Sequence, residues 1–397
     1  MRRKQPPVAT VSEKAYIHTV EANQVENQTI LPDKPFNPKK ILVVKLCCIG
    51  DVVFITPMLR ALKTAYPEAR LYYLAVPWVK DIVDQIKYVD EVILYETPLS
   101  ELSPLSKGME TLDLLTKLRA LHIDVMITGH RNKLFGMLGK MAGIPMRIGF
   151  TNQGNSLLTH PIRFDPQQYE MERYLELLSP LKIPSAGLKT EINPLPEEVD
   201  KVTAKLSDYG IETNEKLAGI FAGGGENPGT TMTIKRWQPE KYAQLTHKIF
   251  ERFPGKILLL GGPSDYQLNE SIKQQSQIMR ERIINVARDF SLRSVPALMK
   301  RCSIVIGGDS GPTHIAAAVG TRTVYLFGPS DPRLVAPRNP DSVYIWKQVS
   351  CSPCYTPETV LQKKYFQGKN FICWTGTNEC MTTITVEDVY VAIQRFF

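Results

Sequence analysis

A turn between a predicted strand and a predicted helix carries four residues suited to anion binding. Asp309, Ser310, Gly311 and His314 fall within the stretch "GGDSGPTHIAAA". A glycine near a helix N-terminus lets a ligand approach backbone N–H groups, and these groups attract anions. The turn therefore predicts an anion site. The alternative is that Asp309 or Ser310 only caps the helix.

Two further stretches carry side chains suited to related chemistry. In "KLCCIGDVV", Asp51 stands at the start of a predicted helix, where it could be a general base or simply a helix cap. In "FAGGGENPGTTMTIKRW", a glycine-rich strand end leads through Thr230, Thr231 and Thr233 to Lys235. Small residues, hydroxyls and a cation suit a diphosphate, although Lys235 alone would be interpreted as a surface lysine.

The elements that position these side chains alternate between strands and helices. A β-branched run at 41–45 precedes a turn at Gly50 and a helix predicted over 52–65, and further strands are predicted at 90–95, 123–128 and 146–150. A second series of strands is predicted near 217–222, 256–261, 283–286, 303–306 and 322–327. This alternation predicts βαβ units and parallel sheets, hence an α/β fold.

The length and the two series of strands predict two domains. Residues 1–38 are polar and punctuated by prolines, which is typical of a flexible extension. The two α/β domains are expected over 39–190 and 191–397, with a cleft at the carboxyl ends of both sets of strands.

Composition narrows the classes of partner. The formal charge of +8 favours anionic partners, but no arginine-rich helix, zinc-finger spacing or aromatic-basic motif indicates nucleic acid. The sequence has no run of 18 or more apolar residues, and "MRRKQPPVATVSEKAY" lacks the apolar segment of a secretory signal. A cytoplasmic protein is expected.

The cysteines are concentrated near the end of the chain. Of the seven, Cys351, Cys354, Cys373 and Cys380 form a C-x2-C pair followed by a second pair with six intervening residues. Four cysteines suggest a structural zinc ion, but the second spacing fits poorly, and buried or paired thiols are preferred.

Four motifs together resemble glycosyltransferase family 9, the heptosyltransferases of lipopolysaccharide-core synthesis. They are "ILVVKLCCIGDVVFITPMLRALKTAYPEA", "KRWQPEKYAQL", "LLLGGPSD" and "GGDSGPTHIAAAVGTRTVYLFGPSDP". The resemblance covers about residues 40–395. It implies a GT-B architecture of two Rossmann-like domains, with the acceptor on the first and a nucleotide-sugar, ADP-heptose, on the second.

The resemblance also implies roles for individual residues. Asp51 matches the family's catalytic base, and Lys45 matches a polar position near the reaction centre. Lys235 matches the lysine on the donor phosphates and Thr230 and Thr231 the hydroxyl positions before it, while Asp309, Ser310, Gly311 and His314 match the nucleotide-diphosphate turn. The implied reaction inverts the sugar's configuration and needs no metal or other cofactor, in agreement with the absence of an Asp-x-Asp pair from the sequence.

The acceptor side is expected to be basic. A phosphorylated or carboxylated lipid-linked glycan would suit Lys45, Arg131, Lys133 and Arg147. Such an acceptor implies peripheral contact with the cytoplasmic face of the inner membrane. One departure from the family is that Cys47 and Cys48 replace small hydroxyl residues, and thiols are poorer hydrogen-bond donors.

Several alternatives remain open at this stage. The chain could transfer another sugar or use another acceptor, or it could be a nucleotide-sugar epimerase of the same two-domain plan. An NAD-dependent oxidoreductase is disfavoured because the first turn lacks a G-x-G-x-x-G fingerprint. A non-catalytic binding protein is disfavoured because Asp51 and Lys235 are both present.

Overall fold

The computed structural model describes residues 36–46, 48–95, 104–151, 157–224, 226–227 and 230–396. The predicted extension over 1–38 therefore lies almost entirely outside the described residues, as does Cys47. The strands of the first sheet are β1 Lys40–Val44, β2 Arg70–Ala75, β3 Glu91–Leu94, β4 Val125–Thr128, β5 Met146–Thr151 and β6 His160–Arg163. The helices of this half are α1 Ile49–Phe54, α2 Thr56–Ala65, α3 Pro77–Val83, α4 Pro104–Leu121, α5 Lys133–Met141 and α6 Glu170–Glu176. The next helix, α7 Pro196–Asp208, belongs to the second half.

The second half repeats the alternation. Its strands are β7 Leu217–Phe221, β8 Glu226–Asn227, β9 Thr230–Thr231, β10 Lys256–Leu260, β11 Ile283–Asn285, β12 Ile304–Gly308, β13 Arg322–Phe327, β14 Ser342–Trp346, β15 Phe366–Gln367 and β16 Asn370–Phe371. Its helices are α8 Pro239–Phe250, α9 Tyr266–Gln275, α10 Val295–Arg301, α11 Gly311–Ala318, α12 Pro332–Val335, α13 Pro357–Leu361, α14 Glu379–Thr382 and α15 Val386–Gln394. None of the helices in the described part of the chain combines the length and the apolar character needed to cross a lipid bilayer.

Two six-stranded sheets organise the chain, in the orders β3-β2-β1-β4-β5-β6 and β11-β10-β7-β12-β13-β14. Every pairing within them is parallel. Helices cover these sheets, so the central strands are buried apolar runs. This confirms the predicted α/β class. The predicted domain division near residue 190 falls in the connection between the sheets and stays a prediction.

The first strand–helix turn differs from its prediction. The helix expected over 52–65 is two helices, since Pro57 has no N–H to continue α1 and instead stands at the start of α2. Gly50 lies inside α1, and the residue with positive φ is Cys48, at 71°. A non-glycine residue in that region carries backbone strain, so the chain is strained three residues before Asp51, at the start of α1.

A third, small sheet joins the end of the chain to the glycine-rich loop. Its order is β15-β16-β9-β8, and Asn370 of β16 pairs with Thr231 of β9. Residues 351–380, here called the cysteine-rich segment, contain α13, β15 and β16. Phe371 of this segment packs with Met232 and Ile234 of the loop. The segment therefore supports the loop that carries Lys235.

The two halves of the chain meet where α1 packs on α11. A Cβ atom on Gly311 would lie 2.7 Å from Ile49 Cβ, closer than such atoms normally approach. From the sequence, Gly311 is expected to permit the approach of a ligand. In the structure the missing side chain admits a helix of the other half.

We expect Gly311→Ala to lower the free energy of unfolding by about 1–3 kcal/mol, the usual cost of overpacking a tight contact. Denaturant titration measures this. Gly108→Ala is the matched control, because an added Cβ there meets no heavy atom within 4 Å. Equal stability of the two variants would contradict the tight α1–α11 contact.

Candidate active site

The first half of the site surrounds Asp51, in the first turn of α1. Lys45 Nζ lies 2.9 Å from Asp51 Oδ2, and the Tyr174 hydroxyl donates to Asp51 Oδ1 at 3.2 Å. Lys45 and Tyr174 are buried, whereas the Asp51 side chain is 25% exposed. Its carboxylate is thus held in one orientation while remaining accessible to a reactant.

A glycine makes this arrangement possible. Gly129 follows β4, and a Cβ there would lie 3.0 Å from Tyr174 Cε1 and 3.3 Å from Lys45 Cδ. Any side chain at this position would push both partners of Asp51. Lys45 itself follows β1 directly, so the strand end sets its position.

A second carboxylate, Glu170, lies one turn before Tyr174 on α6 and pairs with Arg173. Burial raises the pKa of Glu170, and the nearby Asp51 charge raises it further. Burial, Asp51 and Glu170 likewise raise the pKa of Tyr174 well above its ordinary value. The Tyr174 hydroxyl therefore keeps its proton and remains a donor to Asp51.

His130 completes this half. Its Nε2 accepts a hydrogen bond from the Leu46 N–H at 2.8 Å. Burial, together with the charge of Lys45, lowers the pKa of His130 well below its ordinary value. The ring is consequently neutral at pH 7 and carries its proton on Nδ1.

The second half is built on Asp309, Lys235 and His314. Lys235 Nζ lies 2.6 Å from Asp309 Oδ2, and His314 Nε2 lies 3.1 Å from Asp309 Oδ1. Burial alone would raise the pKa of Asp309, but the Lys235 charge and hydrogen bonds from His314 and Lys235 hold it far below its ordinary value. A permanently charged carboxylate would repel a diphosphate, so this geometry favours Asp309 as the residue that orients Lys235 and His314.

The turn before α11 is not a simple cap. Ser310 is the N-cap residue, but its side chain makes no capping hydrogen bond, and its Oγ lies 3.0 Å from Thr313 Oγ1. The Asp309 carboxylate is bound to Lys235 and His314 instead of capping the helix. The helix N-terminus therefore retains its attraction for an anion.

The two halves touch through His314. Its ring lies 4.8 Å from that of Phe54, and a Cβ on Gly50 would be 3.5 Å from His314 Cδ2. The residue after Gly50 is Asp51. The first turn of α1, which carries Asp51, thus lies against the N-terminal turn of α11.

The cysteine-rich segment contributes to this second half. The Tyr355 ring centroid lies 4.5 Å from Lys235 Nζ, within range of a cation–π interaction. Thr230 and Thr231, the predicted hydroxyl positions, form β9 of the small sheet. That sheet also includes β16 of the segment.

The four cysteines of this segment are free thiols. Burial, with Cys351 and Cys373 nearby, raises the pKa of Cys354 to about 11. Burial, with a smaller effect of the other three thiols, raises the pKa of Cys380 to about 12. Within the described residues, no group of three or more His, Cys, Asp or Glu side chains is arranged to hold a metal ion.

The residues predicted to bind the acceptor do not form a single cluster in the structure. Arg131 lines a cavity of about 250 Å³, with its guanidinium 4.2 Å from the Phe164 ring. Lys133, the first residue of α5, is exposed. Arg147 does not join them, because it lies early in β5 and donates to the backbone carbonyls of Leu157 and Ile144.

The cavity beside Arg131 is formed by both halves of the chain. The first domain supplies Arg131, Arg163 and Phe164, and the cysteine-rich segment supplies Glu358, Leu361 and Gln362. The sequence analysis missed Arg163, Tyr174, Glu170 and His130. Tyr174 lies 123 residues from Asp51, so no local spacing could associate them.

The fold, with two parallel six-stranded sheets flanked by helices, is that of the GT-B architecture. A solved family 9 glycosyl transferase from Veillonella parvula superposes with a TM-score of 0.75 at 22% identity, covering 91% of this chain and 98% of that one. The ADP-heptose heptosyltransferase II of Escherichia coli gives 0.70 at 20% identity, covering 90% and 98%.

Sequence comparison identifies the family. The sequence model of glycosyltransferase family 9 (heptosyltransferase) matches residues 112–365, and the chain belongs to that family. Lipopolysaccharide heptosyltransferase 2 of Salmonella typhimurium is 24% identical over 315 residues, which cover 75% of this chain and 85% of that protein. Lipopolysaccharide heptosyltransferase 3 of Escherichia coli is 26% identical over 317 residues, with the same coverage.

The buried Asp309 should make stability depend on pH. Since its pKa is lower in the folded chain, its charge stabilises the fold above the unfolded pKa of about 4, and this contribution is lost as the pH falls below that value. Asp309→Asn should cost about 3 kcal/mol of unfolding free energy at pH 7, with a smaller deficit below about pH 4.

Urea unfolding of the unaltered chain and of Asp309→Asn, from pH 7 down to pH 3, measures the difference in unfolding free energy. Asp113→Asn is the control, since Asp113 is an exposed carboxylate of α4. A deficit for Asp309→Asn that stays constant down to pH 3 would contradict the assigned ion pair.

Proposed function

We propose that this glycosyltransferase moves a heptose from ADP-heptose to an anionic, lipid-linked acceptor of the lipopolysaccharide core, with inversion and without a catalytic metal ion. The observation that supports the proposal is the α1–α11 contact, in which the first turn of α1, the turn of Asp51, packs on the turn at 309–314. Two relatives are named lipopolysaccharide heptosyltransferases. A solved structure of the same fold is heptosyltransferase WaaC with ADP.

The proposed step is a single displacement. Asp51 accepts the proton of an acceptor hydroxyl while that oxygen forms a bond to the anomeric carbon. The bond from that carbon to the diphosphate breaks on the opposite face, and ADP leaves with the electron pair. Lys45 and Tyr174 keep the Asp51 carboxylate oriented for the transfer.

The leaving diphosphate gains negative charge during this step. Lys235 and the N-terminus of α11 supply compensating positive charge at the opposite side of the α1–α11 contact. Asp309 partly neutralises Lys235 in the absence of donor. Binding of a diphosphate would shift Lys235 from a carboxylate partner toward phosphate oxygens.

The direct test is product analysis with purified protein, ADP-heptose and a core acceptor that lacks the transferred heptose. The expected result is ADP release only when the acceptor is present, an anomeric configuration opposite to that of the donor, and the same rate with a chelator. ADP release without an acceptor, a retained configuration or a rate abolished by the chelator would each overturn the corresponding part of the proposal.

Substitutions on the two sides of the contact should have different signatures. Asp51→Asn removes the base and should lower kcat about 100- to 10,000-fold, with ADP affinity unchanged. Lys235→Ala removes a charge-assisted contact and should weaken ADP binding about 10- to 100-fold, in addition to slowing turnover. Calorimetric titration with ADP and steady-state kinetics separate the two. Equal loss of ADP affinity in both variants would contradict the division of roles.

The cavity at Arg131 should select the acceptor. Its two arginines suit a phosphate or carboxylate group, and Arg163→Ala should raise the KM for the acceptor about tenfold while leaving the KM for ADP-heptose unchanged. Arg70→Ala is a matched control, because Arg70 begins β2, which lies next to the far edge strand β3 of the same sheet, and is 58% exposed. The same acceptor KM in both variants would exclude the cavity as the acceptor subsite.

A further inference from the structure

Helix α5 presents an unusual face to solvent. Its exposed residues are Lys133, Leu134, Met137, Lys140 and Met141, and none of its nine residues is acidic. Leu134, Met137 and Met141 are 44%, 41% and 50% exposed. The outer face of a surface helix is normally charged or polar.

The spacing of these residues separates the face into two strips. With 3.6 residues per turn, Leu134, Met137 and Met141 share one apolar strip, and Lys133 and Lys140 lie along its border. The opposite side is buried on the sheet through Phe135, Gly136 and Gly139. Packing of the domain therefore fixes which side of α5 faces outward.

A neighbouring helix adds a third cation. Arg119 of α4 is exposed and donates to the Met141 carbonyl at 3.1 Å, at the far end of the apolar strip. The apolar side chains thus have a cation near each end. An apolar strip bordered by cations is the arrangement with which a helix binds in the interface of an anionic lipid bilayer.

Helix α5 lies close to the cavity that contains Arg131. The helix begins two residues after Arg131, which lines the cavity assigned to the acceptor. From there it extends along the flank of the first domain. A bilayer in contact with the first turn of α5 would therefore lie near Arg131.

We propose that the outer face of α5 docks on an anionic lipid surface. The side chains of Leu134, Met137 and Met141 enter the boundary between headgroups and acyl chains, and Arg119, Lys133 and Lys140 contact lipid phosphates. The purpose of the contact, presenting a lipid-linked acceptor to the Arg131 cavity, rests on the proposed function. The contact itself needs neither donor nor acceptor.

Co-sedimentation of the full chain with lipid vesicles tests the proposal. The probes are vesicles of phosphatidylglycerol and phosphatidylcholine in equal parts, and vesicles of phosphatidylcholine alone. The unaltered chain should bind the anionic vesicles at least about fivefold more strongly, since each cation near an anionic surface contributes about that factor.

Two variants separate the apolar and the charged contributions. The triple variant Leu134→Gln, Met137→Gln, Met141→Gln should lower binding to anionic vesicles about tenfold or more. Arg119→Gln combined with Lys140→Gln should lower it about fivefold for each cation. Ile278→Gln with Val391→Gln is the matched control, since both residues are exposed and apolar but lie in the other half of the chain.

The result that supports the proposal is loss of vesicle binding in both α5 variants, with binding kept in the control and thermal unfolding unchanged in all. Three results would overturn it: triple-variant binding equal to that of the unaltered chain, equal binding to neutral vesicles, or a dimer of the unaltered chain that the triple variant dissociates without any vesicle binding.

A second assay keeps this proposal separate from the proposed function. Transfer to an acceptor oligosaccharide freed of its lipid requires the active site but no membrane. The triple variant should be as active as the unaltered chain in that assay. If the unaltered chain also fails to transfer sugar to the lipid-free oligosaccharide, the result would count against the proposed function and not against docking.

Discussion

The close approach of α1 and α11 is the constraint on which the site depends. In each sheet the strand order reverses at the centre, between β1 and β4 in the first sheet and between β7 and β12 in the second. Parallel sheets bind ligands at such points, beyond the carboxyl ends of the strands. Lys45, His130 and Asp309 follow β1, β4 and β12, and Lys235 lies at the end of the long connection that leaves β7. Only the absence of a side chain at Gly311 lets the two sets come together, because Ile49 occupies the space that a Cβ would need.

Each half contains a lysine–aspartate pair, and the two pairs differ in how deeply the aspartate is buried. The pairs are Lys45 with Asp51 and Lys235 with Asp309. Asp309 is 12% exposed and its pKa is held far below its ordinary value, so it cannot act as a base that gains and loses a proton near pH 7. Asp51 is more exposed and is held by a neutral tyrosine as well as a lysine. This difference supports the proposed division of roles, with proton transfer in the first half and charge stabilisation in the second.

The sequence predicted the elements with strong local signals and missed those without them. Buried apolar runs and glycine-rich strand ends located β1, β12 and the turns that carry Asp51 and Asp309. The edge strand β6 was missed because "HPIR" is mostly exposed and has no apolar alternation. Edge strand β14 was missed as well, although its residues are largely buried. Tyr174 and Glu170 were beyond reach for another reason: their importance comes from contact with Asp51 across more than a hundred residues of chain.

The cysteine-rich segment changes how specificity is divided between the domains. The family plan assigns the acceptor to the first domain and the donor to the second, yet this segment follows the second sheet in the chain and contacts both sites. Tyr355 lies against Lys235, while Glu358 and Leu361 face Arg131 across the acceptor cavity. β16 of the same segment pairs with β9 in the loop that carries Lys235, so one segment joins that loop to the cavity. If the cavity holds the acceptor as proposed, residues of both halves contact it, and exchange of the first domain alone would leave part of its lining unchanged.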